Sequence, residues 1–300
     1  MKSQKHDRPP SAKEVPHKIP KRTIGLIAGA GGLPKEAAAL LVERGQSVRL
    51  VGFSGLTDCD LQTAAEQAQF LRLGQLEAMA SALNDMGVRE LLMLGKVPKS
   101  LLFDGQGIVD PDAEALRVLS EQPEFGDENL MTAIARWLEG RGFSICDQGE
   151  ELASLLAPFG ALSARTPSES EYADFLVGRS AVRALGSAGI GQCVVVKHGS
   201  VLAVEAIEGT DATIHRAGQL GGPGSTVVKA ARPAQDRRFD LPAIGVSTIE
   251  AMIEAGASAL AIEADSTLMI DQEGMVRTAN HANLSVWGFT QDSDREGRPS

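Results

Sequence analysis

The sequence predicts an α/β protein of two domains, an N-terminal Rossmann-like parallel sheet with helices followed by a C-terminal mixed α/β domain. Three observations carry that expectation. From residue 23 to about residue 146, short apolar runs alternate with segments of helical period, the order that builds a parallel sheet wrapped by helices. The stretch Ala157–Ser170, with Pro158, Gly160, Pro167 and several serines, breaks that rhythm as a linker would. Beyond it, two strongly apolar runs are separated only by His198-Gly199-Ser200, close enough for an antiparallel hairpin.

In the first half, Thr23–Ala28 reads as a strand running into Gly29-Ala30-Gly31-Gly32-Leu33-Pro34. A helix follows with its apolar face on Ala37, Leu40 and Leu41, ending near Gly45. Val48–Val51 is a strand, Leu76–Met86 a helix, and Val88–Leu94 a strand that stops at Gly95-Lys96. Asp127 caps a helix over Glu128–Glu139, and Phe143–Cys146 is a further strand. In the second half, helices are expected at Tyr172–Leu185, Thr248–Ala255 and Met275–Asn283. Strands are expected at Gln192–Lys197, Val201–Ala206, Val227–Ala230, Leu260–Glu263, Thr267–Ile270 and Leu284–Trp287. The resulting division is a disordered basic tail (1–22), an N-terminal domain (23–160), a linker (161–170), a C-terminal α/β catalytic domain (171–290) and a disordered end (291–300).

Three hundred residues with 43% hydrophobic content leave room for two cores. Aromatic residues make up only 4%, so a stacking surface for single-stranded nucleic acid is not expected. The first 22 residues hold seven Lys or Arg against two acids, a local charge of +5 that leaves −15 for the rest of the chain. A body this acidic repels nucleic acid, and a phosphate-bearing substrate would need a metal ion to screen its approach. The basic tail is either an expression scar or a weak contact with an anionic surface. Cys59, Cys146 and Cys193 are far apart and form no C-x-x-C pair, which suits a reducing cytosol. No signal-peptide core and no membrane-spanning run are evident, so a cytoplasmic protein is expected.

The loop Gly29–Pro34 sits where a nucleotide's phosphates meet a helix N-terminus in dinucleotide folds. Two details oppose a dinucleotide reading: Pro34 takes the sixth position of G-x-G-x-x-G, and the second strand ends Leu50-Val51-Gly52-Phe53 without an acid for a ribose. Pro34 suits a first helical turn, so the glycines either contact phosphate or simply permit a tight turn. Lys96 points into the same crevice or is a solvated strand-end lysine.

The densest chemistry lies in Glu208-Gly209-Thr210-Asp211, Lys229 and Gln235-Asp-Arg-Arg-Phe-Asp240-Leu-Pro242. Carboxylates are hard ligands for Mg²⁺ or Mn²⁺, and Lys and Arg bind anionic oxygens. Glu208, Asp211 and Asp240 converging with Lys229 would make a metal and phosphate site. The bland alternatives are Thr210 as a helix cap with Asp211 feeding the dipole, and Asp240 as a turn acid paired with Arg237 or Arg238. His198, His215 and His281 have no ligand spacing, and no nucleophile motif such as G-x-S-x-G occurs.

Ile24-Gly-Leu-Ile-Ala-Gly29-Ala-Gly31-Gly-Leu-Pro34 resembles the opening of LpxI-type UDP-2,3-diacylglucosamine pyrophosphatases. Gly126-Asp127-Glu128-Asn129-Leu130 is similar to a Gly-Asp-Asp-x-Leu segment of that family. Val201-Leu-Ala-Val-Glu-Ala-Ile-Glu208-Gly-Thr-Asp211 and Arg232-Pro-Ala-Gln235-Asp-Arg-Arg-Phe-Asp240-Leu-Pro-Ala-Ile-Gly245 resemble its two second-domain blocks. The departures are Ala243 for the usual Thr, Glu128 for the second Asp, and a short, Gly-rich Gln219–Ser225 segment. The resemblance implies two α/β domains with the active site between them. It implies a magnesium-dependent enzyme of lipid A synthesis that splits UDP-2,3-diacylglucosamine into UMP and 2,3-diacylglucosamine 1-phosphate. Asp240, Asp211 and Lys229 are then the catalytic candidates, and Asp240, Asp211 and Glu208 the metal ligands. Substrate contacts fall to Gly29, Ala30, Gly31, Gly32, Leu33, Pro34, Lys96, Asp127, Thr210 and Gln235. The glycolipid nucleotide brings with it an expected peripheral contact with the inner membrane face, and a homodimer is compatible with this reading. A nucleotide-sugar or NAD(P)-binding oxidoreductase and a non-catalytic nucleotide or lipid binder stay open as alternatives.

Overall fold

The computed structural model describes residues 21–97, 109–121, 127–233 and 235–290; the expected tails, apart from Lys21 and Arg22, lie outside these residues. The first domain runs β1 (Thr23–Ala28), α1 (Leu33–Glu43), β2 (Ser47–Phe53), β3 (Gln67–Leu71), α2 (Leu76–Asp85), β4 (Glu90–Leu94), α3 (Ala113–Ser120), α4 (Asp127–Glu139) and β5 (Ser144–Ile145). Its strands form one parallel sheet in the order β3-β2-β1-β4-β5. The order reverses between β1 and β4, and ligands of open α/β sheets bind beyond the strand ends at such a point. The central strands are apolar on both faces because both are covered. Ile24, Leu26 and Ala28 pack with α1, whereas Ile27, Leu91 and Met93 pack with α2, α3 and α4.

The first domain closes with α5 (Gln148–Glu151), and the second begins with β6 (Gly160–Ala161), α6 (Glu169–Ser187), β7 (Cys193–Lys197) and β8 (Ser200–Val204). It continues with α7 (Thr210–Gly221), β9 (Thr226–Lys229), β10 (Ala243–Ile244), α8 (Val246–Ala255), β11 (Ala259–Glu263), β12 (Leu268–Met269), α9 (Gln272–His281) and β13 (Ser285–Phe289). The main sheet is mixed, in the order β6-β13-β11-β9-β7-β8, with β13, β11 and β9 parallel and the other pairings antiparallel. Alternation along β11 explains the two layers: Ala259 and Ala261 face α6, while Leu260 and Ile262 face α7, α8 and α9. The β7–β8 turn is closed by His198 and Gly199, both at positive φ (51° and 74°), as a two-residue hairpin with right-handed strand twist requires.

The segment expected as a linker is packed on the second sheet. β6 pairs with β13, Ser163 Oγ donates to the Leu284 carbonyl at 2.9 Å, and Arg165 grips Glu171 through two 2.8 Å bonds. Ser168 then starts α6 with a reciprocal capping box to Glu171. These polar contacts account for a Ser- and Pro-rich stretch that is nonetheless ordered.

The two domains share a core. β10 and β12 form a small parallel sheet beside the first domain, where Leu241 and Leu268 join Ile24, Leu26, Leu41 and Leu152 in one buried cluster. Leu156 bridges to Leu268, and Glu36 of α1 accepts the Asp271 N–H at 2.9 Å. Each leucine buried there stabilises the pairing by about 1.5–3 kcal/mol. Among the described residues, no helix is long and apolar enough to cross a membrane.

Candidate functional site

The glycine loop is stitched to the end of β4. Gly29 N–H donates to the Leu94 carbonyl at 2.8 Å, and Ala30 and Lys96 exchange a pair of 2.9 Å backbone bonds. A Cβ on Gly29 would lie 2.7 Å from the Lys96 carbonyl, which is why no larger residue fits. Gly31 takes a φ of 100°, and Leu33 and Pro34 are buried in the first turn of α1. Gly31, Gly32 and Lys96 are exposed. Across the domain boundary, Ile270 lies 3.2 Å from where a Gly32 Cβ would be and 3.3 Å from that of Gly245. The N-termini of α1 and α8 therefore meet around Ile270, and both carry the partial positive charge of helix starts.

Lys229 ends β9 with only 4% of its surface exposed. Its Nζ donates to Thr210 Oγ1 and to the Ala243 carbonyl, each at 2.9 Å. The Thr210 hydroxyl donates onward to Glu205 Oε1 at 2.8 Å, and Glu205 Oε2 accepts the Gln192 N–H at 3.0 Å. Burial pushes the Lys229 pKa below its ordinary value, against the attraction of Glu205 and Asp211 and with the repulsion of Lys96. A lysine of the second domain thus feels one carried by the first. Thr210 is the first residue of α7, and Gly209 (φ 85°) occupies the cap. Its hydroxyl serves Lys229 and Glu205 rather than the helix end, so the expected capping role is replaced. Half-buried Asp211 accepts a 3.3 Å bond from Thr248 Oγ1.

The loop bearing Asp240 hangs from the first domain. Gln148, almost fully buried, donates its N–H to the Arg237 carbonyl (2.9 Å) and its Nε2 to the Met93 carbonyl of β4 (2.7 Å), while its Oε1 accepts the Leu241 N–H (3.2 Å). Phe239 packs against the α2–α4 core. Asp240 itself is paired with Arg232, whose N–H donates to Gln235 Oε1 at 2.8 Å. Arg237 instead approaches Asp147 (3.7 Å), and Arg238 holds Asp236 (2.7 Å) and Glu139 (2.6 Å).

The three expected metal ligands are spread out. Glu208 is exposed, and its carboxylate accepts Thr213 Oγ1 at 3.3 Å and pairs with Arg216. Among the described residues, the one trio of His, Cys, Asp or Glu with all ligand atoms within 4.8 Å of one another is Asp58, Cys59 and Asp60, in an exposed turn. Glu208, Asp211 and Asp240 form no ready-made cage. Their oxygen chemistry suits Mg²⁺, which is commonly held by one or two carboxylates together with substrate phosphates. The side chain of Asp127 lies outside the described residues. Glu205, Gln148, Arg232 and Thr248 were not singled out in the sequence. For Glu205 there was a signal, an isolated acid inside the otherwise apolar run Val201–Ile207.

Residues 23–155 match the LpxI N-terminal domain and residues 158–287 match the LpxI C-terminal domain. The chain belongs to the LpxI family. The UDP-2,3-diacylglucosamine pyrophosphatase LpxI of Caulobacter vibrioides is 31% identical over 289 residues, covering 93% of this chain and 100% of that protein. The two LpxI domains meet between residues 155 and 158, just before β6 enters the second sheet. Likeness to solved structures is slight. Staphylococcus aureus N5-carboxyaminoimidazole synthetase complexed with ADP gives a TM-score of 0.22 at 17% identity, over 58% of this chain and 37% of that chain. UDP-glucose-4-epimerase from Stenotrophomonas maltophila gives 0.28 at 13% identity, over 92% and 99%. Scores this low carry no argument about an LpxI chain.

Proposed function

We propose that this LpxI-family chain is an enzyme, a hydrolase that cleaves the pyrophosphate of UDP-2,3-diacylglucosamine to UMP and 2,3-diacylglucosamine 1-phosphate in lipid A biosynthesis. The observation that carries the reading is the match of both halves, in order, together with the full-length alignment to a relative of that name. The site supports it physically. Lys96 and Lys229, near enough to repel one another, and the N-termini of α1 and α8 beside Ile270 lie where the two domains meet, a setting that favours a diphosphate over a neutral ligand.

In this reading the oxygen of a water attacks one phosphorus, the bridging P–O bond breaks, and the leaving phosphate keeps its electrons. Lys229 holds its ammonium toward the domain boundary and stabilises the charge that gathers on phosphate oxygens. Lys96 and the N–H groups of the Gly31–Gly32 turn orient the diphosphate. Asp240 accepts the proton lost by the water or serves as a carboxylate ligand. Mg²⁺, with Mn²⁺ as a substitute, would be held by Asp211 and Asp240 with phosphate oxygens completing its shell; when bound it neutralises charge and acidifies water. Glu208, engaged with Arg216, contributes field rather than a ligand. In this reading the substrate's acyl chains would bring the enzyme into peripheral contact with the inner face of the membrane.

The test is UMP release from UDP-2,3-diacylglucosamine with Mg²⁺ and with EDTA, comparing wild type with Asp240→Ala. The expected result is metal-dependent release that falls by about 10²–10⁴-fold in the variant, the usual range for losing a general base. Release unaffected by EDTA removes the metal from the scheme. No release by the wild type removes the pyrophosphatase reading.

A further inference from the structure

Lys229 sits in a chain of hydrogen bonds whose direction is fixed by proton counting. An ammonium has three donors and no acceptor, so the 2.9 Å contact with Thr210 Oγ1 makes that hydroxyl the acceptor. The hydroxyl has one proton of its own, and at 2.8 Å it points to Glu205 Oε1. Glu205 is 7% exposed, and its other oxygen accepts the Gln192 backbone N–H at 3.0 Å. The backbone beneath it is rigid: Glu205 N–H donates to the Cys193 carbonyl at 2.8 Å, and Cys193 is paired with Lys229 in the sheet. The two ends of the relay therefore stand at the ends of β8 and β9, on either side of β7. Thr210 and the Ala243 carbonyl use two of the three ammonium protons, which leaves one for an anionic ligand.

We propose that Glu205 is a positioning residue for the proposed pyrophosphatase: acting through Thr210, it holds Lys229 charged and aimed at the domain boundary. A buried acid is costly without partners, and this one is placed where it offsets the opposite cost of a buried ammonium. The groups around Lys229 divide plainly. Glu205 beyond β8 and Asp211 on α7 favour the charged lysine, and Cys193 on β7 would do so only as a thiolate, while burial and Lys96 of the first domain oppose it. Burial also pushes the Cys193 thiol well above its ordinary range. Glu205 is the carboxylate linked to the ammonium through the Thr210 hydroxyl, so its loss removes the main counterweight to burial. The inference rests on the pyrophosphatase reading only for its effect on turnover.

The experiment uses the full chain as wild type, Glu205→Gln, Thr210→Val and Thr210→Ser. The first readout is the pH profile of kcat for UMP release. The alkaline limb is expected about one pH unit lower in Glu205→Gln and Thr210→Val, about a tenfold loss on that side, with Thr210→Ser nearer the wild type than Thr210→Val. The second readout needs no turnover: titration of the Lys229 ammonium by NMR of ¹⁵N-lysine-labelled protein, expected to shift the same way. If Glu205→Gln does not fold, the near-isosteric Thr210→Val carries both readouts. Variants that lose activity with the alkaline limb and the Lys229 titration both unmoved have a structural defect only, and overturn the proposal. An inactive wild type whose Lys229 titration still shifts in the variants rejects the pyrophosphatase reading and keeps the relay.

Discussion

Glu171 shows what a buried acid does when its partners are complete. Burial pushes its pKa up, but Arg165, Ser258 and the Ser168 N–H outweigh that and hold it at about 2. The unfolded carboxyl titrates near 4.3, so the folded value is depressed. Its contribution to stability is present above the unfolded value and is lost as pH falls from there through about 2. Between pH 5 and pH 2, the Tm of wild type should therefore fall further than that of Glu171→Gln; equal slopes in a melting series would reject the assignment. Lys229 is the opposite case, a charge kept buried by contacts that use only part of its valence. Thr210, Lys96 and Lys229 stood out in the sequence because each ends a strand or follows a glycine turn. Glu205 and Gln148 did not, since the value of a buried polar side chain depends on neighbours that only the fold supplies.

At the level of elements, the apolar runs announced themselves. Thr23–Ala28 is a strand over the whole expected range, and α1 starts at the Leu33-Pro34 pair as the proline suggested. β3 was missed because it is an edge strand with exposed, polar Gln67 and Gln69, and α3 because its eight residues carry little beyond Ala115 and Val118 to bury. The loop from Arg237 to Leu241 is irregular, and its shape is dictated by Gln148 rather than by its own residues. Gln148→Leu keeps the volume but strands the Met93 carbonyl and the Leu241 N–H, at about 1–3 kcal/mol for each buried unsatisfied group. The expected outcome is a fall in kcat with little change in KM, because the loop bearing Asp240 loosens while Lys96 and Lys229 stay in place. A variant that raises KM alone would show that Gln148 shapes binding instead.

For the molecule as a whole, the alternating pattern and its break foretold two domains, but not that they would share a core. The shared cluster is invisible in sequence because Leu241 and Leu268 look like ordinary second-domain leucines. Leu268→Ala should destabilise by about 2–5 kcal/mol. Urea unfolding followed by the fluorescence of Trp137 in the first domain and Trp287 in the second should still show one transition for both, where separate midpoints would mean independent domains. The same cluster sets a timetable. During synthesis the first domain emerges and folds ahead of the second, with the face of α1 lacking the leucines that finish it. Only when the chain has been made past Met269 can β12 pair with β10 and bring Leu268 to that face. The meeting of the two domains can thus be completed only late in synthesis, and a chain that carries the whole Gly29 loop but ends before Leu268 lacks β12 and the Ile270 that touches Gly32.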